Sequence, residues 1–340
     1  MTSLKGSEQY LHEVLKRFVP QSLPVFEDPE MQERVWGRRW GVFNDVGTLK
    51  MVLVHRPGDE IKTMKETKYE PKIEALIDDE EQWYWRDKTP PNLEKMQKEH
   101  YKMVEVLIRE GVEVVYVDGS PRNPKAMFTR DNGVAIQGGI IIARMGIVGK
   151  FPGTGRRGEE FFVSKKVVEL GMPILHTIHG SGLFEGGSFA FLNEKHAVIG
   201  LSYRQNEEAT RQIEEVLRVQ GINLIRVPLT GHSIHLDGGF VMINHDLALV
   251  NITRLPFWFL DTLKDLKIHY VEVHHADQPL VINGLALKPG KFFLTINNGE
   301  GTAERLRKYG VEVIPIDYSE CQKNGGSIHC SILPLIREQD

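Results

Sequence analysis

Four residues of reactive type stand where successive short hairpins open: Asp131 in "FTRDNG", Glu185 in "FEGGSF", His235 in "IHLDGGF" and Cys330 in "SIHCSI". Asn283 of "VINGLA" occupies the same place between the last two, and Asp237 follows His235 by two residues, on the same side of an extended strand. A thiolate is a nucleophile, a histidine moves protons near neutrality, and carboxylates hold cations through charge-assisted hydrogen bonds. Taken singly, each residue has a plainer explanation: an aspartate at a turn ordinarily caps that turn, and a free cysteine is often a small buried hydrophobe. Their spacing argues otherwise. The five hairpin openings lie 54, 50, 48 and 47 residues apart, so they recur with the period of a structural repeat.

The elements that must position them recur too. "NLEKMQKEHYKMVEVLIREGVEVVYVD" shows helical periodicity closed by Gly111 and followed by a β-branched run. Two short strands come next in "GVAIQGGIIIARMG", then a helix and strand in "EEFFVSKKVVELGMPILHTI" with Gly171 at the helix end. The same order returns from "GGSFAFLNEKHAVIGLS", from "GGFVMINHDLALVN" and from "GLALKPGKFFLTI". One strand is left at each end, in "TLKMVLVHRP" and "SIHCSILPLI". The expectation is an α/β fold: a five-fold pseudosymmetric propeller of ββαβ units, closed by pairing of the N- and C-terminal strands. Equivalent positions in such a ring point to one end of its axis. The acids, His235 and Cys330 would then converge, with Cys330 as nucleophile. Residues 1–45 read as an N-terminal helical extension and 46–340 as a single catalytic domain. Within it 59–90 is a charged, aromatic excursion that Trp83, Trp85 and Tyr84 anchor, rather than a lid over a substrate.

Composition narrows the function. The chain has 340 residues, 41% hydrophobic and 26% charged, with a formal net charge of -4. Basic residues are interspersed with acids, which excludes a nucleic-acid footprint. No apolar run reaches membrane-spanning length, and the charged N-terminus lacks the apolar segment of a signal peptide. Two cysteines nine residues apart make no disulfide framework, so a reducing, cytoplasmic setting is expected. A homo-oligomer is compatible with all of this. "GTGRRG" at 153–158 matches a dinucleotide-binding pattern, but Pro152 precedes it and no acid follows at the required distance. "HSIH" and "VHH" lack a third ligand at metal spacing, so no metal is expected, and His274 and His275 read as surface or core histidines.

The order "FTRD", "EGG", "HLD", glycine-rich loop and cysteine resembles the guanidine-modifying enzymes, or pentein superfamily: arginine deiminases, dimethylarginine dimethylaminohydrolases and amidinotransferases. The resemblance runs over most of the chain from about residue 48, and "ARMGIVGKFPGTGRRGEE" and "GLSYRQN" look like the dimethylarginine hydrolases. That family's fold is a five-fold ring of ββαβ units, in agreement with the repeats. The resemblance implies a small guanidino compound as substrate and no cofactor. Cys330 would attack the guanidinium carbon, His235 would transfer protons, and Glu185 would orient His235 and touch the substrate. Asp131 and Asp237 would grip the guanidinium. Arg156 and Arg204 match arginines that meet a substrate carboxylate. Lys125, six residues before Asp131, stands where arginine-acting relatives carry an asparagine or aspartate that helps hold the α-ammonium. A lysine there would repel that group and favour a guanidino acid without a free α-amino group, unless the loop shifts to present Asn123 and leaves Lys125 in solvent.

Details of the motifs pull in different directions. Glu185 and the "HLD" sequence lean toward the deiminases, whereas histidine before the cysteine in "SIHC" looks like the amidinotransferases. A hydrolase cleaving a C–N bond of arginine, a methylarginine or a guanidino acid leads. An amidinotransferase is the alternative. A non-catalytic binding protein of the same fold ranks last, because the reactive set is intact.

Overall fold

The computed structural model describes residues 4–22, 28–64, 67–119, 121–149 and 155–339. Two helices come first, α1 (Glu8–Leu15) and α2 (Pro29–Trp36), each begun by a side chain that accepts a backbone hydrogen bond, Ser7 from Tyr10 and Asp28 from Met31. The first helix buries no residue and the second only Gln32, but Trp40 and Val42 already lie in the core. Strand β1 (Leu49–Val54) is almost wholly buried. A 3-10 turn at Asp59–Thr63 then leads to a small antiparallel sheet of β2 (Thr67–Glu70), β3 (Ala75–Asp78) and β4 (Tyr84–Trp85).

Helix α3 (Leu93–Arg109) starts at Asn92, whose side chain accepts from the Lys95 N–H, and buries Met96, Met103 and Leu107 at helical spacing. Strand β5 (Glu113–Tyr116) follows it. Four units of like order come next. The first is β6 (Gly133–Ile136), β7 (Gly139–Ile142), α4 (Glu159–Glu169) and β8 (Ile174–Thr177). The second is β9 (Phe189–Asn193), β10 (His196–Leu201), α5 (Glu207–Val219) and β11 (Asn223–Pro228). The third is β12 (Phe240–Asn244), β13 (Leu247–Val250), α6 (Phe257–Asp265) and β14 (His269–Glu272). The fourth is β15 (Leu285–Lys288), β16 (Lys291–Thr295), α7 (Glu300–Lys308) and β17 (Glu312–Ile316). A short α8 (Ser319–Gln322) and strand β18 (Leu333–Arg337) end the chain.

Helices α3, α4, α5 and α7 stop where glycines 111, 171, 221 and 310 take positive φ of 71–81°, a conformation that costs glycine nothing. After α6 the same turn is made by Lys267 at φ 61°, at some steric cost. Each four-element unit builds its own three-stranded sheet, antiparallel between its first two strands and parallel to the third. A fifth sheet has the same pattern but takes its strands from both ends of the chain: β18 runs antiparallel to β1, and β1 parallel to β5. The sheets touch one another, β12 with β9 and β15, β15 with β1, and β18 with β6. No described helix is long and apolar enough to cross a membrane.

Candidate active site

The hairpin openings are short turns in the structure. Asp131 lies in the turn Thr129–Asn132 before β6, Glu185 leads into Gly186–Ser188 before β9, and His235 leads into Leu236–Gly238, which holds Asp237, before β12. Asn283 closes the turn Pro279–Ile282 before β15, and Cys330 sits just ahead of β18. These turns abut one another. The "EGG" sequence permits that approach. A Cβ on Gly186 would fall 2.2 Å from the Arg130 carbonyl oxygen, and one on Gly187 would fall 2.9 Å from Asp131 Oδ1 and 3.0 Å from His235 Nδ1. Larger residues would force the reactive groups apart.

His235 is the centre of the cluster. Its Nε2 meets Glu185 Oε2 at 2.7 Å and its Nδ1 faces Asp131 Oδ1 at 3.6 Å. Burial works against charge on the ring, but Asp131 and Glu185 outweigh it and push its pKa up to about 9. Both carboxylates thus favour its protonated form at neutral pH. Burial likewise opposes ionisation of Glu185, yet His235, Arg204 and Arg156 hold it well below the usual carboxylate range. Cys330 is in the opposite situation. Its Sγ lies 3.6 Å from Asp237 Oδ2, and burial, then Asp237 and Asp131, push the thiol well above its ordinary value. In the free protein these surroundings favour a thiol at Cys330 and a protonated ring at His235.

Each arginine of the site is already paired with a carboxylate. Arg204 donates to Glu185 Oε1 at 2.9 Å. Arg156 donates to Asp131 Oδ2 at 2.5 Å, to both oxygens of Glu159 at 2.7–3.1 Å, and to the Phe128 carbonyl. Its guanidinium thus meets the chain's own acids, not a vacant pocket. Lys125 is buried, and its Nζ donates to the Tyr84 carbonyl at 2.9 Å and to the Asn324 carbonyl and Oδ1 at 2.6 and 3.3 Å. It lies 4.1 Å from the Tyr84 ring centroid and 5.4 Å from that of Trp85. Burial pulls its pKa well below the usual lysine range, and Arg156 and Arg86 add to the pull. The shifted loop does not occur: Asn123 is turned to the Arg156 carbonyl, and Lys125 is buried rather than left in solvent.

A cavity of about 490 Å³ brings seven of the eight expected residues together: Lys125, Asp131, Arg156, Glu185, Arg204, His235 and Cys330. Asp237 stands behind Cys330, where its Oδ2 also accepts from His329 Nδ1 at 2.9 Å. Trp85 and Trp83, 1% and 9% exposed, both pack in the core and anchor the excursion as expected, but Trp83 and Tyr84 also line the cavity along with Ile73, Ala75 and Ile77. Of the dinucleotide-like "GTGRRG", Gly153 and Thr154 lie, with Pro152, outside the described residues, and the rest forms the turn into α4 that carries Arg156. Ligand-type atoms of Asp131, Glu185 and His235 lie within 4.8 Å of one another. Arg156 and Arg204 already neutralise these carboxylates, which makes the trio an ion-pair network rather than a cation cage.

Three contributors escaped sequence reasoning. Asn283 Oδ1 accepts from the Ser327 and Cys330 N–H groups, both at 3.1 Å, and so fixes the turn bearing the thiol. Its position in the repeat register was the available signal. Glu159 clamps Arg156 from three residues on, a spacing visible in "RRGEE". In the sequence His329 is legible only as the neighbour of Cys330; its bond to Asp237 joins residues 92 positions apart.

A family model described as N,N dimethylarginine dimethylhydrolase, eukaryotic, matches residues 68–337. An N(G),N(G)-dimethylarginine dimethylaminohydrolase of Pseudomonas aeruginosa is 24% identical over 247 residues, covering 72% of this chain and 89% of the relative. An arginine deiminase of Oenococcus oeni is 22% identical over an alignment of 421 positions, covering 87% and 97%. Among solved structures, SxtG, an amidinotransferase from Microseira wollei, shares the fold with a TM-score of 0.66 at 17% identity, over 88% of this chain and 98% of that one.

Proposed function

Because the chain belongs to the N,N-dimethylarginine dimethylhydrolase family, within the pentein superfamily of guanidino-modifying hydrolases and amidinotransferases, we propose that it hydrolyses a C–N bond of a guanidino compound through a covalent Cys330 adduct. The observation that carries this reading is the geometry at His235: its ring lies between Glu185 and Asp131, whose carboxylates favour its protonated form, in the cavity that Cys330 lines. That form is a proton donor already loaded for a leaving amine.

A guanidinium entering between Asp131 and Asp237 brings the positive charge that Cys330 lacks, and the thiol gives up its proton to solvent water. The thiolate bonds to the central carbon. His235 passes its proton to the departing nitrogen as that C–N bond breaks, leaving a thiouronium on Cys330 and neutral imidazole. His235 then takes a proton from water, whose oxygen attacks the same carbon. The C–S bond breaks, and a ureido product and the free cysteine remain. Arg204 and Arg156 hold the two carboxylates, Glu185 and Asp131, that flank His235.

Lys125 on the cavity wall is a donor already turned to carbonyl oxygens and offers an α-ammonium no acceptor, which favours a guanidino substrate without a free α-amino group. The five units are proposed to surround one axis, with β1 and β18 closing the ring and the site at one end. An amidinotransferase, in which an amine replaces water, is the second reading; it draws on His329 before Cys330 and on the likeness to SxtG. Screening guanidino compounds with mass spectrometry of trapped Cys330 decides the matter. Ammonia or an alkylamine with a ureido product supports hydrolysis. A new guanidino compound formed only with an acceptor amine supports transfer, and no adduct with any compound overturns both.

A further inference from the structure

The cavity extends beyond what a guanidinium ion needs, and its remaining surface is mostly apolar, with Glu81, Gln82 and Asn324 as its polar members. The small sheet β2–β4 has two apolar faces. Leu76 and Trp85, paired across β3 and β4, turn into the core, whereas the next pair, Ile77 and Tyr84, belongs to the cavity lining with Ala75. Ile73, in the turn between β2 and β3, is 56% exposed and lies on the same lining, as do Val148 and Ile234. A sheet insertion that needed only to anchor itself would have one apolar face. The polar groups nearby offer little to an amino-acid head. Lys125 Nζ is already bonded to three carbonyl oxygens, and Arg156 is held by Asp131, Glu159 and a backbone carbonyl.

We propose that the face bearing Ala75 and Ile77, with Ile73 at its edge, is a subsite for an apolar chain, so that the substrates are guanidino compounds carrying an extended alkyl or aryl group rather than arginine. This rests on the hydrolase reading for the guanidinium end only. The test is calorimetric binding of N-alkylguanidines of increasing length to Cys330→Ser protein, with arginine for comparison. A fully buried methylene is worth ~0.8 kcal/mol, roughly fourfold in Kd, so affinity should rise at least tenfold from propyl- to hexylguanidine. Ile73→Asp, at a turn position 56% exposed, and Ile77→Asp should each flatten that gain. A Kd independent of chain length, a gain that survives both substitutions, or arginine bound as tightly as hexylguanidine overturns the proposal. Turnover by the wild type is measured separately. Graded binding without turnover sinks the hydrolase reading and leaves the subsite standing, and turnover with flat binding does the reverse.

Discussion

Binding a guanidinium-type cation should convert Cys330 from thiol to thiolate at constant pH. In the free protein, burial and the carboxylates of Asp237 and Asp131 oppose ionisation, with Asp237 Oδ2 only 3.6 Å from Sγ. A unit positive charge about 4 Å from sulfur, in an effective dielectric of about 20, stabilises the thiolate by ~4 kcal/mol. At ~1.4 kcal/mol per pKa unit, that lowers the thiol by about three units. The assay is a pH titration of thiolate ultraviolet absorbance, with and without saturating acetamidine, after subtraction of the same titration on Cys330→Ser. Subtraction removes Cys321, whose thiol burial also pushes up. Asp237→Asn should shift the ligand-free titration in the same direction, since it removes a like charge. A midpoint that acetamidine leaves in place, or a thiolate already present at neutral pH in the free protein, would refute the reasoning.

Four further outcomes follow from the geometry. Because kcat/KM reports groups of the free enzyme, its basic limb should fall through about pH 9 as His235 loses its proton; the same raised pKa stabilises the fold fully below about 6.5 and less as pH climbs through about 9, a loss His235→Gln should lack in thermal melts. Cys321→Ala should keep its activity, because the Cys321 thiol donates to the Met96 carbonyl, away from the site; a folded but inactive variant would break the link between repeat register and catalysis. Asn283→Ala removes two hydrogen bonds from the Cys330 turn and should cost about 1–3 kcal/mol of stability, with kcat falling while KM stays; an unchanged kcat would deny it a positioning role. Wild type should favour 4-guanidinobutyrate over arginine in kcat/KM, and Lys125→Asn should narrow that preference; a tenfold preference for arginine would refute the role assigned to Lys125.

Much of this molecule could be read along the chain because the information is local. Helices closing at Gly111, Gly171, Gly221 and Gly310 and hairpins beginning at Gly133 or Phe189 depend on residues within a few positions of one another. The interval between Asp131, Glu185, His235, Asn283 and Cys330 was likewise countable, and so their convergence could be expected. The states of those groups were not countable, because charge and donor capacity depend on which atoms distant turns bring together. Lys125 could be placed six residues before Asp131, but only folding joins it to Tyr84 and to Asn324, 199 positions away. Arg156 could be matched to a motif, yet its pairing with Asp131 follows from where the loop into α4 meets the turn before β6. The excursion's aromatics could be read as anchors from composition, but which face of a strand meets the core and which meets a cavity is decided by pairing register: Leu76 opposite Trp85, Ile77 opposite Tyr84. Local sequence determined which reactive groups recur and at what spacing. Tertiary packing, acting through burial and contacts between remote turns, decided which of them are charged, which are already paired, and what surface the substrate meets.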